Sequence, residues 1–186
     1  LQGVAASGKT LLYSQLIEQT LAQGKNVLYL VPEVGLSVQL TNRLEHFFGD
    51  KMSVYHGKYS SHERVEVWNN VLANKPKAQF VLGVRAAVCL PFHDLGLIIV
   101  DEEHDLSYKQ EQTPPRFQVR DTALMLAHLH GAKTLLGSAT PSAESYYNAQ
   151  AGKYGFVQLL ERYEGIHPPS IELVDLKEKT KKKETQ

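Results

Sequence analysis

Short aliphatic and β-branched runs alternate along this chain with longer stretches whose apolar residues recur at helical spacing. Residues 26–31 (NVLYLV) and 97–100 (LIIV) are apolar at nearly every position, the pattern of strands covered on both faces. Residues 53–55, 79–83 and 134–136 read as shorter strands. Between them lie helical segments. After Thr10 the run LLYSQLIEQTLAQ is free of glycine and proline and closes at Gly24, where a helix-terminating glycine belongs. Residues 36–48 form a second helix, ending at Gly49. Ser60-Ser61-His62-Glu63 is a capping box that starts a third, running to about Asn74. Trp68, the only tryptophan, lies on it with Val65, Val67 and Leu72 and reads as core. A fourth helix spans 119–130 and ends at Gly131, and Thr140-Pro141 fits an N-cap followed by proline at the first helical position. The polar segment 104–116, with Pro114-Pro115, reads as irregular. Strands alternating with helices predict an α/β fold, a three-layer α/β/α sandwich on a mostly parallel sheet.

Past Gly152 the pattern breaks into strand-like FVQLL and SIELVDL, then the charge run KEKTKKKETQ, which has no apolar face. Residues 1–165 are therefore expected to form one lobe, and 166–186 a strand plus a charged linker or tail. At 186 residues with 42% hydrophobic and 22% charged content, the chain can bury one substantial core. Formal net charge is zero, so no global polycation advertises nucleic-acid binding, although local phosphate contacts stay open. The single Cys89 excludes an internal disulfide and a cysteine-rich zinc site within this chain. No apolar run is long enough to span a bilayer and no signal-peptide pattern opens the sequence. The expectation is a cytoplasmic protein.

Chemistry concentrates first at Gly3-Val4-Ala5-Ala6-Ser7-Gly8-Lys9-Thr10, which satisfies G-x-x-x-x-G-K-[ST], the phosphate-binding P-loop. Gly3, Ser7 and Gly8 would let the backbone wrap an anion, and Lys9 would reach the β- and γ-phosphates. The hydroxyl of Thr10 would hold Mg²⁺. The following helix aims its positive dipole end at the same phosphates. Only Leu1 and Gln2 precede the loop, too little for a feeding strand, so the sequence begins abruptly there.

A second cluster, Asp101-Glu102-Glu103-His104, follows the LGLIIV strand directly. Strand C-termini of a parallel sheet share one rim, so these acids would face the P-loop. Asp101 can then hold Mg²⁺ through its water shell, while Glu102 is suited to orient and deprotonate an attacking water. The alternative is that they simply cap a turn. Ser138-Ala139-Thr140 comes later, before a helix, and alone is ordinary capping chemistry.

P-loop, DEEH and SAT in this order resemble motifs I, II and III of the superfamily 2 helicases, P-loop NTPases of RecA-like fold. VPEVGLSVQ, HGKYSSHER, GVRAAVCLPF, LGLIIVDEEHDLSYKQE and LGSATPSAES are similar to the primosomal replication-restart helicases, over nearly the whole chain. The resemblance implies the first RecA-like lobe of an ATP-dependent DNA helicase that unwinds with 3′→5′ polarity at stalled forks. ATP and Mg²⁺ are its cofactors. Its partners are single-stranded and forked DNA, primosome proteins and single-strand-binding protein, and the helicase itself is expected to be monomeric. It assigns His104 to couple the Mg²⁺ site to Ser138 and Thr140. It places Glu33, Gln39, Arg64 and Arg85 on the single-strand track. Residues 107–116 are similar to an aromatic-rich loop joining DNA contact to hydrolysis. There Lys109 is a track candidate, and Tyr108 and Phe117 either stack on bases or pack against the core. The upstream DNA-binding domain and adenine-reading segment, the second lobe with its arginine finger, and a zinc module lie outside this sequence by the same resemblance.

Departures from the family pattern point to weaker nucleotide binding at Ala5 and Ala6, to lost hydroxyls for DNA phosphate at Gly57 and Val84, and to reduced stacking at Pro115. Ala5 and Ala6 stand where threonine and glycine are usual, and a positive φ at Ala6 would cost about 1 kcal/mol. Gly57 replaces a usual serine, Val84 a usual threonine, and Pro115 stands where an aromatic is common. Two rivals remain open: another superfamily 2 DNA translocase, and a docking module for DNA or protein whose P-loop no longer binds nucleotide.

Overall fold

The computed structural model describes residues 1–162. The expected SIELVDL strand, the charged tail and the boundary at 165–166 lie outside the described residues. Nine strands and five helices follow in chain order within them. They are β1 Gln2–Gly3, α1 Lys9–Ala22, β2 Asn26–Leu30, α2 Val38–Phe48, β3 Met52–Tyr55, α3 Ser61–Leu72 and β4 Phe80–Gly83. Then come β5 Leu95–Asp101, β6 Lys109–Gln110, β7 Phe117–Gln118, α4 Val119–His130, β8 Lys133–Gly137, α5 Ala143–Gln150 and β9 Gln158–Leu159.

The central sheet has the order β3-β4-β2-β5-β8, and every pairing in it is parallel. All five residues of β2 are buried because helices cover both faces. Side chains alternate across the sheet. Leu28, Leu30, Val81, Ile98 and Val100 face α3 and α4 in one core cluster. Val27, Tyr29, Leu82, Leu97 and Ile99 meet Tyr13, Ile17 and Leu21 of α1 and Leu44 of α2 in the other. This is the expected three-layer sandwich.

The two-residue β1 is nonetheless seated. It pairs in parallel with β9 and bridges to Ser138 just past β8; Gly3 N–H donates to Ser138 O at 2.9 Å. The P-loop therefore leaves the same rim as the C-terminal ends of β5 and β8.

Three local expectations are corrected. Trp68 is 40% exposed and lies beside exposed Val65 and Leu72, because α3 buries its Asn70–Val71 edge and only part of Val67. Helix α5 is capped by Ser142, whose side chain accepts from Ser145 N–H, so Thr140-Pro141 lies ahead of the helix and neither caps nor begins it. Segment 104–116 is not wholly irregular: Leu106–Tyr108 form a 3₁₀ turn, and β6 and β7 pair antiparallel across the cis Pro114-Pro115 turn.

Candidate nucleotide site and its neighbourhood

The P-loop folds as a close cradle. A Cβ at Gly3 would stand 2.7 Å from Ser7 Oγ and 3.0 Å from Lys9 Cγ, so a side chain there would push both out of their places in the loop. Ala6 (φ 61°) and Gly8 (φ 86°) take left-handed conformations that turn the loop back onto α1. Nothing lies within 4 Å of a Cβ built on Gly8, which leaves that side open to a ligand. Lys9 begins α1 and points inward, Nζ donating to Gly3 O at 2.7 Å. Half-buried Thr10 follows it in the first turn. Ser7 Oγ is buried without a hydrogen-bond partner, and such groups need one.

Across the rim, Asp101 closes β5. Tyr13 Oη donates to its Oδ1 at 3.0 Å and Tyr29 Oη to its Oδ2 at 3.1 Å, while Tyr108 Oη donates to its backbone carbonyl at 2.8 Å. Burial raises the Asp101 carboxyl above the usual carboxylate range; hydrogen bonds from Tyr13 and Tyr29 oppose that and Glu102's charge adds to it. The same burial, with Asp101's charge next, pushes all three tyrosine hydroxyls up.

Glu102 has φ 47°, a conformation disfavoured for a side chain with a Cβ and a mark of functional positions. The kink turns its carboxylate out of the strand, to 3.8 Å from Lys9 Nζ and 3.6 Å from His104 Nδ1. His104 Nδ1 lies 2.7 Å from Ser138 Oγ, and its Nε2 lies 3.5 Å from Thr140 Oγ1. Ser138 Oγ also accepts from Thr140 N–H at 2.9 Å. Lys9, Glu102, His104, Ser138 and Thr140 thus form one connected set.

The track candidates are dispersed along the rim. Glu33 and Gln39 are exposed around the start of α2, and Glu33 lines a groove of about 380 Å³ with His56, Tyr59 and Val84. Arg64 is exposed on α3. Arg85 lies nearer the nucleotide end, where Nη1 donates to the carbonyls of Ser107 (3.0 Å) and Lys109 (3.2 Å). Lys109 is exposed and paired with Glu111. Tyr108 corrects the stacking alternative: it is fully buried with its hydroxyl on Asp101, so its ring is core and presents no face to a base. Phe117 is half-buried against the same core.

Sequence reasoning missed Tyr13, Tyr29 and Glu103. Tyr13 falls in the apolar series with Ile17 and Leu21, where a tyrosine reads as filler. Nothing in a run of three acids says that the middle glutamate points outward and the next one inward.

A parallel sheet that sets a glycine cradle and its lysine against a carboxylate pair is the nucleotide-facing rim of a RecA-like lobe. The chain belongs to the DEAD/DEAH box helicases, whose family profile matches residues 1–149. It is 42% identical over 178 residues to the replication restart protein PriA of Bacillus subtilis, covering 96% of this chain and 22% of that protein. It is 44% identical over 184 residues to PriA of Chlamydia trachomatis, covering 97% and 24%. The chain spans about a quarter of the length of these relatives. Its fold is shared with RecG bound to a three-way DNA junction (TM-score 0.67, 22% identity, covering 100% of this chain and 24% of that one). It is shared also with the DUF1998 helicase MrfA bound to DNA (TM-score 0.59, 19% identity, 87% and 23%). Among the described residues, no helix is long and apolar enough to cross a membrane.

Proposed function

We propose that this chain is the ATP-binding lobe of a replication-restart helicase that moves 3′→5′ on DNA at stalled forks. The observation that carries the reading is Lys9 Nζ at 3.8 Å from Glu102 Oε1 on the rim where the P-loop and β5 end. The pair puts the loop lysine and the water-orienting carboxylate at one point of the rim, and a terminal phosphate with its attacking water would part them as Lys9 turns to the phosphate.

The residues present suit a magnesium triphosphate. A side chain at Gly3 would displace Ser7 and Lys9, Ser7 Oγ is buried without a partner, and Gly8 leaves open space. Thr10 and Asp101 would hold Mg²⁺, one hydroxyl and one carboxylate being the sparse set that ion takes beside phosphates, and it would neutralise phosphate charge. Lys9 moves from Gly3 O to the phosphates. Glu102 orients the water and takes its proton. His104 relays the state of Glu102 to Ser138 and Thr140, the two hydroxyls its ring nitrogens face. Arg85, Lys109, Arg64, Gln39 and Glu33 lie along the rim that a single strand would follow, with Arg85 suited to a phosphodiester. Primosome proteins and single-strand-binding protein are the partners that go with this reading.

Titration of the chain with a fluorescent ATP analogue tests it. Mg²⁺-dependent binding is expected, weakened at least about tenfold in Lys9→Ala, the loss of a charge-assisted contact. In the complete polypeptide, Asp101→Asn or Glu102→Gln abolishes hydrolysis and spares DNA binding. Turnover surviving in either variant would strip that carboxylate of its part in hydrolysis. Ala6 at positive φ and the tyrosine pair on Asp101 favour a second reading, a lobe that docks DNA or protein without nucleotide. Absence of nucleotide binding in the complete polypeptide would select it.

A further inference from the structure

Glu103 is the acid of the Asp101–His104 run to which the proposed chemistry gives no task. It is 1% exposed, in a network reaching two helices. Its carboxylate accepts from Ser142 N–H at 2.7 Å, from Ser142 Oγ at 3.0 Å and from Ser145 Oγ at 2.9 Å. Arg120 of α4 stands behind it, Nη1 at 3.5 Å from Glu103 Oε2 and donating to Ser142 Oγ at 2.8 Å. The outer side of Arg120 is held by Asp121 at 3.0 Å. Glu103 also acts through its backbone: its N–H donates to Gly137 O at 3.0 Å.

One residue therefore grips both ends of a short segment. The backbone of Glu103 holds Gly137, its side chain holds Ser142, and between them Ser138 and Thr140 face His104. A stability role alone does not account for this arrangement. Ser142 already caps α5 by accepting from Ser145 N–H, and a desolvated carboxylate is a poor way to strengthen a helix end that is already capped.

We propose that Glu103 is a positioning residue, a latch that makes the loop after β5 and the 138–142 segment move as one body, with Arg120 as its buried counter-charge. The inference rests on the nucleotide-lobe reading for its consequence: nucleic acid moving one side of the latch moves the hydrolytic groups on the other. Breaking it should uncouple DNA stimulation from hydrolysis while nucleotide still binds.

Two measurements test this on Glu103→Ala and Glu103→Gln. Amide exchange in the 186-residue chain should speed up about tenfold or more at Ser142 in Glu103→Ala, with Leu28 and Ile98 in the central strands unchanged. Glu103→Gln, which keeps an acceptor for Ser142 N–H, should fall between. In the complete polypeptide, Glu103→Ala should keep its dissociation constant for the fluorescent ATP analogue within about threefold. Single-strand-stimulated kcat should drop about tenfold or more, with Glu103→Gln recovering part of it. Unchanged exchange at Ser142 overturns the latch. So does faster exchange throughout the chain in both variants, or a loss of nucleotide affinity in step with kcat. A parent protein that binds no nucleotide would remove the functional reading instead, and exchange at Ser142 would still decide whether the latch exists.

Discussion

Ala6 sits at φ 61°, a region in which a Cβ crowds the neighbouring carbonyl and which glycine enters freely. The folded loop holds that strain. Ala6→Gly should raise stability by about 0.5–1 kcal/mol, the relief of strain less the extra freedom glycine gives the unfolded chain. Thermal unfolding should shift upward by roughly 2–4 °C per kcal/mol in a chain of this size. An unchanged or lower midpoint would mean that position 6 is unstrained in solution. Position 6 was legible in the sequence because glycine is usual there. Glu102, also left-handed, was not, since no residue type announces a carboxylate that must leave its strand. The partners of Asp101 were hidden for another reason: Tyr13 lies 88 positions away and Tyr29 72, so only the folded sheet brings their hydroxyls to it.

Among the elements, α3 shows what local chemistry can and cannot specify. Its start is written in four residues. Ser60 Oγ accepts from Glu63 N–H at 3.3 Å, and Glu63 Oε2 accepts from Ser60 N–H at 2.8 Å. The Ser60 hydroxyl, which donates to Glu63 Oε2 at 2.7 Å, and then the Ser60 N–H hold the Glu63 carboxyl below its ordinary range. A depressed carboxylate contributes stability above its unfolded pKa and loses it as the solution is acidified. Ser60→Ala should cost about 1 kcal/mol in a denaturant titration at neutral pH. The difference between parent and variant should shrink as the medium is acidified below the ordinary glutamate range. A difference that stays constant down to full protonation would remove Glu63 from the cap. The buried edge of the same helix was not legible. Val65, Trp68 and Leu72 make as good a helical stripe as Val67, Asn70 and Val71, and sheet packing chose the second, with Asn70 buried. The apolar runs of β2 and β5 left no such choice, because every residue along them suits a strand covered on both faces.

At the scale of the whole molecule, Asp101 is where the two halves of the core meet. Tyr13 and Tyr29 belong to the cluster on the α1 side of the sheet and Tyr108 to the cluster on the α4 side, and all three hydroxyls end on this one residue. Burial and the Asp101 charge hold each hydroxyl neutral well above its ordinary pKa of 10.0. In the unfolded chain the same hydroxyls ionise near that value. Their contribution to stability is therefore complete below about pH 10 and is lost as pH climbs past it toward the folded-state values. Each buried tyrosine removes up to about 1.4 kcal/mol per pH unit, roughly 4 kcal/mol per unit for the three. A domain of ordinary stability, about 5–15 kcal/mol, cannot withstand many units of that slope. Tyrosinate absorbance and far-ultraviolet circular dichroism, followed together from about pH 9 upward, should show three tyrosines ionising only as the fold is lost, in one cooperative step. Tyr13→Phe should reduce the steepness of that step by about a third. If all the tyrosines titrate near about pH 10 with the circular dichroism intact, the hydroxyls are not closed around Asp101, and the two cores are joined more loosely than three hydrogen bonds to one residue would allow.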